Sequence, residues 1–145
     1  MTNRLAAPLN VALINPPFLP NYSRGQRSPG VTRSGTLYYP MWLAYAAAHV
    51  MRLGHRALLL DAPASEFDQS ALEKNLERFR PDILLVESAT PSIDSDLQCA
   101  VVLKRLFPSS WVFVCGTHAS ALPVEALRQA HEIDGVIVGE YEIPL

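Results

Sequence analysis

Cysteine is scarce in this chain, with two in 145 residues, Cys99 and Cys115. They form neither a Cys-x-x-Cys pair nor a cysteine-dense framework, which excludes a disulfide scaffold and a zinc site and fits a reducing cytoplasm. An excess of one charge is also missing: the formal net charge is -2, so there is no basic footprint for nucleic acid. The longest apolar run, near Met41 to Ala48, is too short to span a bilayer. Met1 to Asn10 lacks the apolar stretch of a secretory signal. A glycine-rich phosphate loop is absent, because Gly25, Gly30 and Gly35 are spaced too widely for Gly-x-Gly-x-x-Gly.

What the chain has is short apolar runs alternating with helical patterns. Val11–Ile14, Ala57–Leu60, Ile83–Val86, Trp111–Cys115 and Val136–Val138 read as strands. Pro40 opens and Gly54 closes a helix over Met41–Leu53 that is apolar nearly all round, so it is expected to be buried on most sides. Ser70 and Glu73 form a capping-box signature ahead of Leu72, Leu76 and Phe79. Further helices are predicted from about Ile93 to Phe107 and from Pro123 to Ala130. Residues 16–39 show no sustained period and read as one long loop, of the kind that is functional or disordered. The alternation predicts an α/β domain: a doubly wound, five-stranded parallel sheet of order 2-1-3-4-5 with helices on both faces. Ligands of such sheets sit outside the carboxyl ends of the strands. Here those ends carry Asn15-Pro16-Pro17, Ser88-Ala89-Thr90 and Cys115-Gly116-Thr117-His118. A receiver module of this flavodoxin-like, Rossmann-like class needs acidic residues after the first strand and a phosphoacceptor aspartate after the third. Asn15-Pro16 and Glu87-Ser88 stand there instead.

Several spaced segments carry a more specific resemblance. They are Asn15-Pro16-Pro17, Pro40-Met41-Trp42-Leu43-Ala44-Tyr45, Leu53-Gly54-His55, Asp61, Pro81-Asp82, Ser88-Ala89-Thr90, Gly116-Thr117-His118 and Gly139-Glu140-Tyr141-Glu142. In this order and spacing the chain resembles the cobalamin-binding amino-terminal domain of B12-dependent radical SAM proteins. The resemblance runs from Val11 to Glu142. It implies that residues 1–145 are a single cobalamin-binding module at the amino-terminal end of a longer protein. It further implies that S-adenosylmethionine and a [4Fe–4S] cluster belong to a downstream radical SAM domain of the same chain. The Cys-x-x-x-Cys-x-x-Cys run that ligates that cluster is not in this sequence.

On this resemblance the cofactor-binding residues are Asn15, Pro16, Ser88, Thr90, Gly116, Thr117, His118, Gly139 and Glu140, with no catalytic or metal-ligating residue among them. Ser88 and Thr90 either bond the nucleotide tail or cap the following helix. Gly116 either admits the ligand closely or serves a turn. His118 either neighbours the ligand or holds its own loop. Gly139 would let the backbone pass the tail. Glu140 either accepts from a ribose hydroxyl or favours the next helix start. Arg24, Arg27 and Arg33 read as a solvated basic loop, with contact to another domain or to anionic substrate groups as the alternative. Asp61 reads as a turn aspartate, and Tyr38 and Tyr39 pack on the corrin or staple the helix start.

Many B12 domains of this fold ligate cobalt through a histidine in an Asp-x-His-x-x-Gly segment after the first strand. That segment is missing, and no histidine lies between Ile14 and Pro40. Cobalamin is therefore expected base-off, without a histidine ligand from the first loop. The implied function is a cobalamin module serving methyl transfer, cyclisation or other radical chemistry on a small molecule. Neither nucleic acid nor membrane is an expected partner. In two places the chain departs from the family: Cys115 replaces the first glycine of a Gly-Gly pair, and Met41-Trp42 replaces a smaller Leu-Gly. They support the alternative of a degenerate scaffold that docks to the radical SAM domain without binding cobalamin.

Overall fold

The strand β1, Asn10–Asn15, is buried on both of its faces. A continuous apolar run gives this result when a parallel sheet is covered from both sides. The computed structural model describes residues 7–25 and 29–140. After β1 the long loop is not structureless: Tyr22–Ser23 (β2) and Gly30–Val31 (β3) pair as a short antiparallel ladder. Helix α1 spans Met41–Arg52 and leads to β4, Arg56–Asp61. Helix α2 spans Gln69–Phe79, followed by β5, Ile83–Ser88. A 3-10 turn at Thr90–Ser92 enters α3, Ile93–Leu106, and β6 is Trp111–Gly116. Two short helices, α4 (Thr117–Ala121) and α5 (Pro123–Gln129), precede β7, Gly135–Val136.

The sheet is parallel, with order β4-β1-β5-β6-β7, which is the expected 2-1-3-4-5. Strand alternation sorts the core into two layers. Ala12, Ile14, Leu84, Val86, Val112 and Val114 face α2, α3 and α5. Val11, Leu13, Leu85 and Cys115 face Leu43, Ala46 and Val50 of α1. Among the described residues α1 is the only helix contributing to that second layer.

Four local expectations are corrected. The first loop carries the β2–β3 ladder. Helix α1 is not buried on most sides, for Met41, Trp42, Tyr45 and Met51 are exposed and only one stripe meets the sheet. The cap of α2 is Asp68, whose Oδ1 accepts from the Ala71 amide at 2.8 Å. Glu73 instead accepts from the Gln69 side chain at 3.0 Å, so the Ser70–Glu73 box does not form. The last strand starts at Gly135 rather than Val136, although Ile137 N still bonds Val114 O at 2.9 Å. Among the described residues no helix is long and apolar enough to cross a membrane.

Candidate functional site

Residues at the carboxyl end of β1 are occupied by their own neighbours. The Asn15 side chain is buried; its Nδ2 donates to Asp61 Oδ1 at 2.8 Å and its Oδ1 accepts from Arg24 at 2.7 Å. The Pro16 carbonyl accepts a second 2.7 Å bond from the same Arg24 nitrogen. Burial pushes the Asp61 carboxyl above its ordinary range, against the pull of the Asn15 and Ala64 hydrogen bonds and the Arg24 charge. Asp61 closes its turn by accepting from Ala64 N, in keeping with a turn aspartate.

Arg24 is the largest departure from expectation. Its side chain is 1% exposed and pairs with Asp96 of α3, which is fully buried, at 2.5 Å. A basic residue in a polar loop reads as solvated, and its acid lies 72 positions away, so only tertiary packing reveals the pair. Asp96 also accepts from Ser92 Oγ at 2.7 Å and from Ala89 N at 3.2 Å. Burial pushes its carboxyl up, opposed by Arg24 and these bonds. Arg33 is exposed as expected, and Arg27 lies outside the described residues.

The β5 and β6 ends lie side by side, with Ser88 in register with Gly116. The buried Ser88 hydroxyl donates to the Cys115 carbonyl at 2.7 Å, rather than capping a helix or facing outward. Gly116 has φ +103°, and a Cβ on it would lie 2.3 Å from the Ser88 carbonyl oxygen. Glycine is thus demanded there by both backbone angle and close approach. His118, on α4, places Nδ1 3.3 Å from Thr90 Oγ1 and so ties this rim together. Thr90 and Thr117 are exposed. Thr90 does not cap its turn through its side chain. At the end of β7, Gly139 has φ +84° with nothing within 4 Å of where its Cβ would be, and its amide donates to Ser120 Oγ at 3.0 Å. Glu140 is exposed beside it, while Tyr141 and Glu142 lie outside the described residues.

Nine sequence-predicted residues therefore split into two groups. Asn15, Pro16 and Ser88 spend their polar groups inside the protein. Thr90, Thr117, His118, Gly139 and Glu140 form an accessible rim along β5, β6 and β7, with Gly116 beneath it. Cys115 does not crowd this rim: it is 0% exposed, within the layer under α1. Burial and the nearby Glu87 hold its thiol well above the usual range. Tyr38 and Tyr39 are exposed, and the Tyr38 amide is held by Ser23 Oγ at 2.9 Å. Among the described residues no cluster of three or more histidine, cysteine or acidic side chains is arranged to hold a metal ion.

Residues 27–145 match the model of the B12 binding domain. The chain belongs to the B12-binding domain family. It is 29% identical over 109 residues to an uncharacterized methyltransferase of Pyrococcus horikoshii, covering 75% of this chain and 24% of that protein. It is 25% identical over 124 residues to the anaerobic magnesium-protoporphyrin IX monomethyl ester cyclase of Rubrivivax gelatinosus, covering 85% of this chain and 21% of the cyclase. This B12-binding domain thus spans only about a quarter or less of the length of these relatives. Among solved structures it resembles the receiver domain of RcsB from Salmonella enterica serovar Typhimurium, with TM-score 0.57 and 16% identity over 94% of this chain and 82% of that one. That likeness shows the shared flavodoxin-like fold alone.

The rim fits the family's ligand in donor chemistry. Cobalamin presents amide arms, a phosphate and ribose hydroxyls. The rim offers hydroxyls at Thr90 and Thr117, an imidazole at His118, a carboxylate at Glu140 and open space at Gly139, groups of the kind such a ligand can bond.

Proposed function

We propose that this domain binds cobalamin on the β5–β6–β7 rim and serves a radical SAM domain in a longer chain, of which residues 1–145 are the amino-terminal module. The observation that carries the reading is the B12-binding match over residues 27–145. The names of the relatives, a methyltransferase and a cyclase, support a small-molecule substrate and methyl transfer or ring formation as the overall chemistry. S-adenosylmethionine and a [4Fe–4S] cluster would belong to the other domain, in a cytoplasmic enzyme.

When bound, cobalamin supplies a cobalt able to carry a methyl group. The rim residues would hold its periphery. Thr90, Thr117 and His118 offer hydrogen bonds to the nucleotide tail, and Glu140 accepts from a ribose hydroxyl. Gly139 leaves room for the tail, while Gly116 and Ser88 keep the floor of the rim tight. Asn15 and Pro16 shape the neighbouring β1 end through Arg24. The first loop offers no histidine, cysteine or methionine from Asn15 to Tyr39. Cys115 is enclosed, so base-off cobalamin would carry no protein nitrogen or sulfur on cobalt.

Titration of the full chain with hydroxocobalamin tests binding, and electron paramagnetic resonance of the cob(II)alamin form tests the axial face. A saturable spectral change and a signal without nitrogen superhyperfine splitting are expected. No spectral change at any ratio would sink the binding claim. Nitrogen splitting that disappears in His118→Ala would sink the claim of no protein ligand and name His118, whereas splitting that persists in His118→Ala would sink the base-off claim.

A further inference from the structure

The strand order reverses between β1 and β5, so the crevice outside these two strand ends is the place where open α/β sheets usually take their ligands. Here that crevice is filled from within. The Arg24 guanidinium bonds Asn15 and the Pro16 carbonyl on the β1 side, each at 2.7 Å. On the β5 side its Nε and its other terminal nitrogen bond both oxygens of Asp96, at 3.4 and 2.5 Å. Phe18 and Tyr22 lay their rings against the same guanidinium, at 5.9 and 5.1 Å from centroid to carbon.

The opposite charge is equally committed. An anion entering this fold would seek the amides at the start of the helix after β5. The domain's own Asp96 carboxylate already accepts from the Ala89 amide and from Ser92. The Arg24 guanidinium, the Asn15 amide oxygen, the Asp96 carboxylate, the Ala89 amide and the Ser92 hydroxyl are thus bonded to one another. Meanwhile Thr90 just after β5, Thr117 one strand further along and Glu140 two strands further along stay exposed.

We infer that Arg24 is a positioning residue that decides where ligand sits: it pins the first loop across the β1–β5 crevice and leaves the β5–β6–β7 rim as the binding surface. The inference rests on the cobalamin reading for its ligand, while the closure itself stands on geometry alone. A planar fork with several fixed donors suits this task, and lysine could not bridge the same four acceptors.

Hydrogen–deuterium exchange on the full chain tests it, with Arg24→Met and with the charge-balanced pair Arg24→Met and Asp96→Asn. Without ligand, both variants are expected to exchange at least ten-fold faster over residues 16–40, with β1 and β5 unchanged. Unaltered exchange in that loop overturns the closure, and so does unfolding of the whole sheet in both variants, since the pair would then hold the fold and not the loop. With hydroxocobalamin, the wild-type footprint is expected over residues 88–92, 116–121 and 138–140, and absent from 15–25. In the variants it extends into 15–25. A wild-type footprint on 15–25, or one identical in wild type and variants, overturns the positioning role. Absence of any footprint retires the cobalamin reading, while exchange in the unliganded proteins still decides the closure.

Discussion

At Gly116 two requirements coincide, a left-handed backbone and contact with the Ser88 backbone. Gly116→Ala is expected to cost about 1–3 kcal/mol from the backbone alone, and the contact adds to that. Urea denaturation checks it, and an unchanged midpoint would show that the turn adapts. The requirement is thus one of folding first, so any loss of ligand in such a variant must be read against its stability. The cysteines give a second test. Both are buried. The Cys99 thiol is raised from 9.0 to about 12, chiefly by burial, with Asp96 adding and Arg24 opposing. Neither thiol should react with iodoacetamide in the native protein at pH 8, and both should react in urea; one native adduct would place a thiol at the surface. The sign of the pH effect follows. The unfolded thiol gives up its proton near pH 9, while the folded one holds it to about 12, so the folded state binds more protons in between. Stability from this group is complete below pH 9 and is lost as pH rises through that window. Denaturation midpoints at pH 8 and pH 10.5 should show the fall, and Cys99→Ala should lessen it, the remainder coming in part from Cys115, whose thiol burial also raises.

Elements were legible where pattern and packing agree. The strands were visible because helices cover both faces of the sheet, most fully at β1 and β5, so the runs are apolar without alternation. Helix α1 misled because composition counts apolar residues but does not say how many neighbours a helix has. Trp42 is 46% exposed while Leu43, next to it, is enclosed. Leu43→Ala is expected to cost about 2–5 kcal/mol, and Trp42→Glu less than about 0.5. Similar losses in the two would mean the helix is covered on both sides. The α2 cap was misplaced by two residues because Asp68 and Ser70 are both good caps in sequence, and only the entry direction of the chain chooses between them. Asp68→Ala should cost about 1 kcal/mol and Ser70→Ala almost nothing; the reverse order would restore the capping box. At the site, the glycines and rim hydroxyls were readable because they follow strand ends. The Arg24–Asp96 pair was not, since nothing local distinguishes Arg24 from Arg33, or Asp96 from Asp94.

Across the molecule, both tryptophans lie at the surface, with Trp111 59% exposed at the start of β6. Acrylamide should therefore quench the native fluorescence nearly as well as that of the urea-unfolded chain, and strong protection would mean that self-association covers one of them. The strand order has another consequence, felt while the chain is being made. Strand β1 is synthesised first yet ends between two neighbours. About 40 residues separate it from β4, and β5 comes later still. At ~5–20 residues per second on a ribosome, β1 waits on the order of seconds for its first partner. Throughout that interval Val11, Ala12, Leu13 and Ile14 are an apolar strand with two bare edges, and a nascent chain stalled before Ile83 would have nothing to pair with one of them. The element that anchors the finished sheet is the one most in need of a chaperone's shelter before the sheet exists.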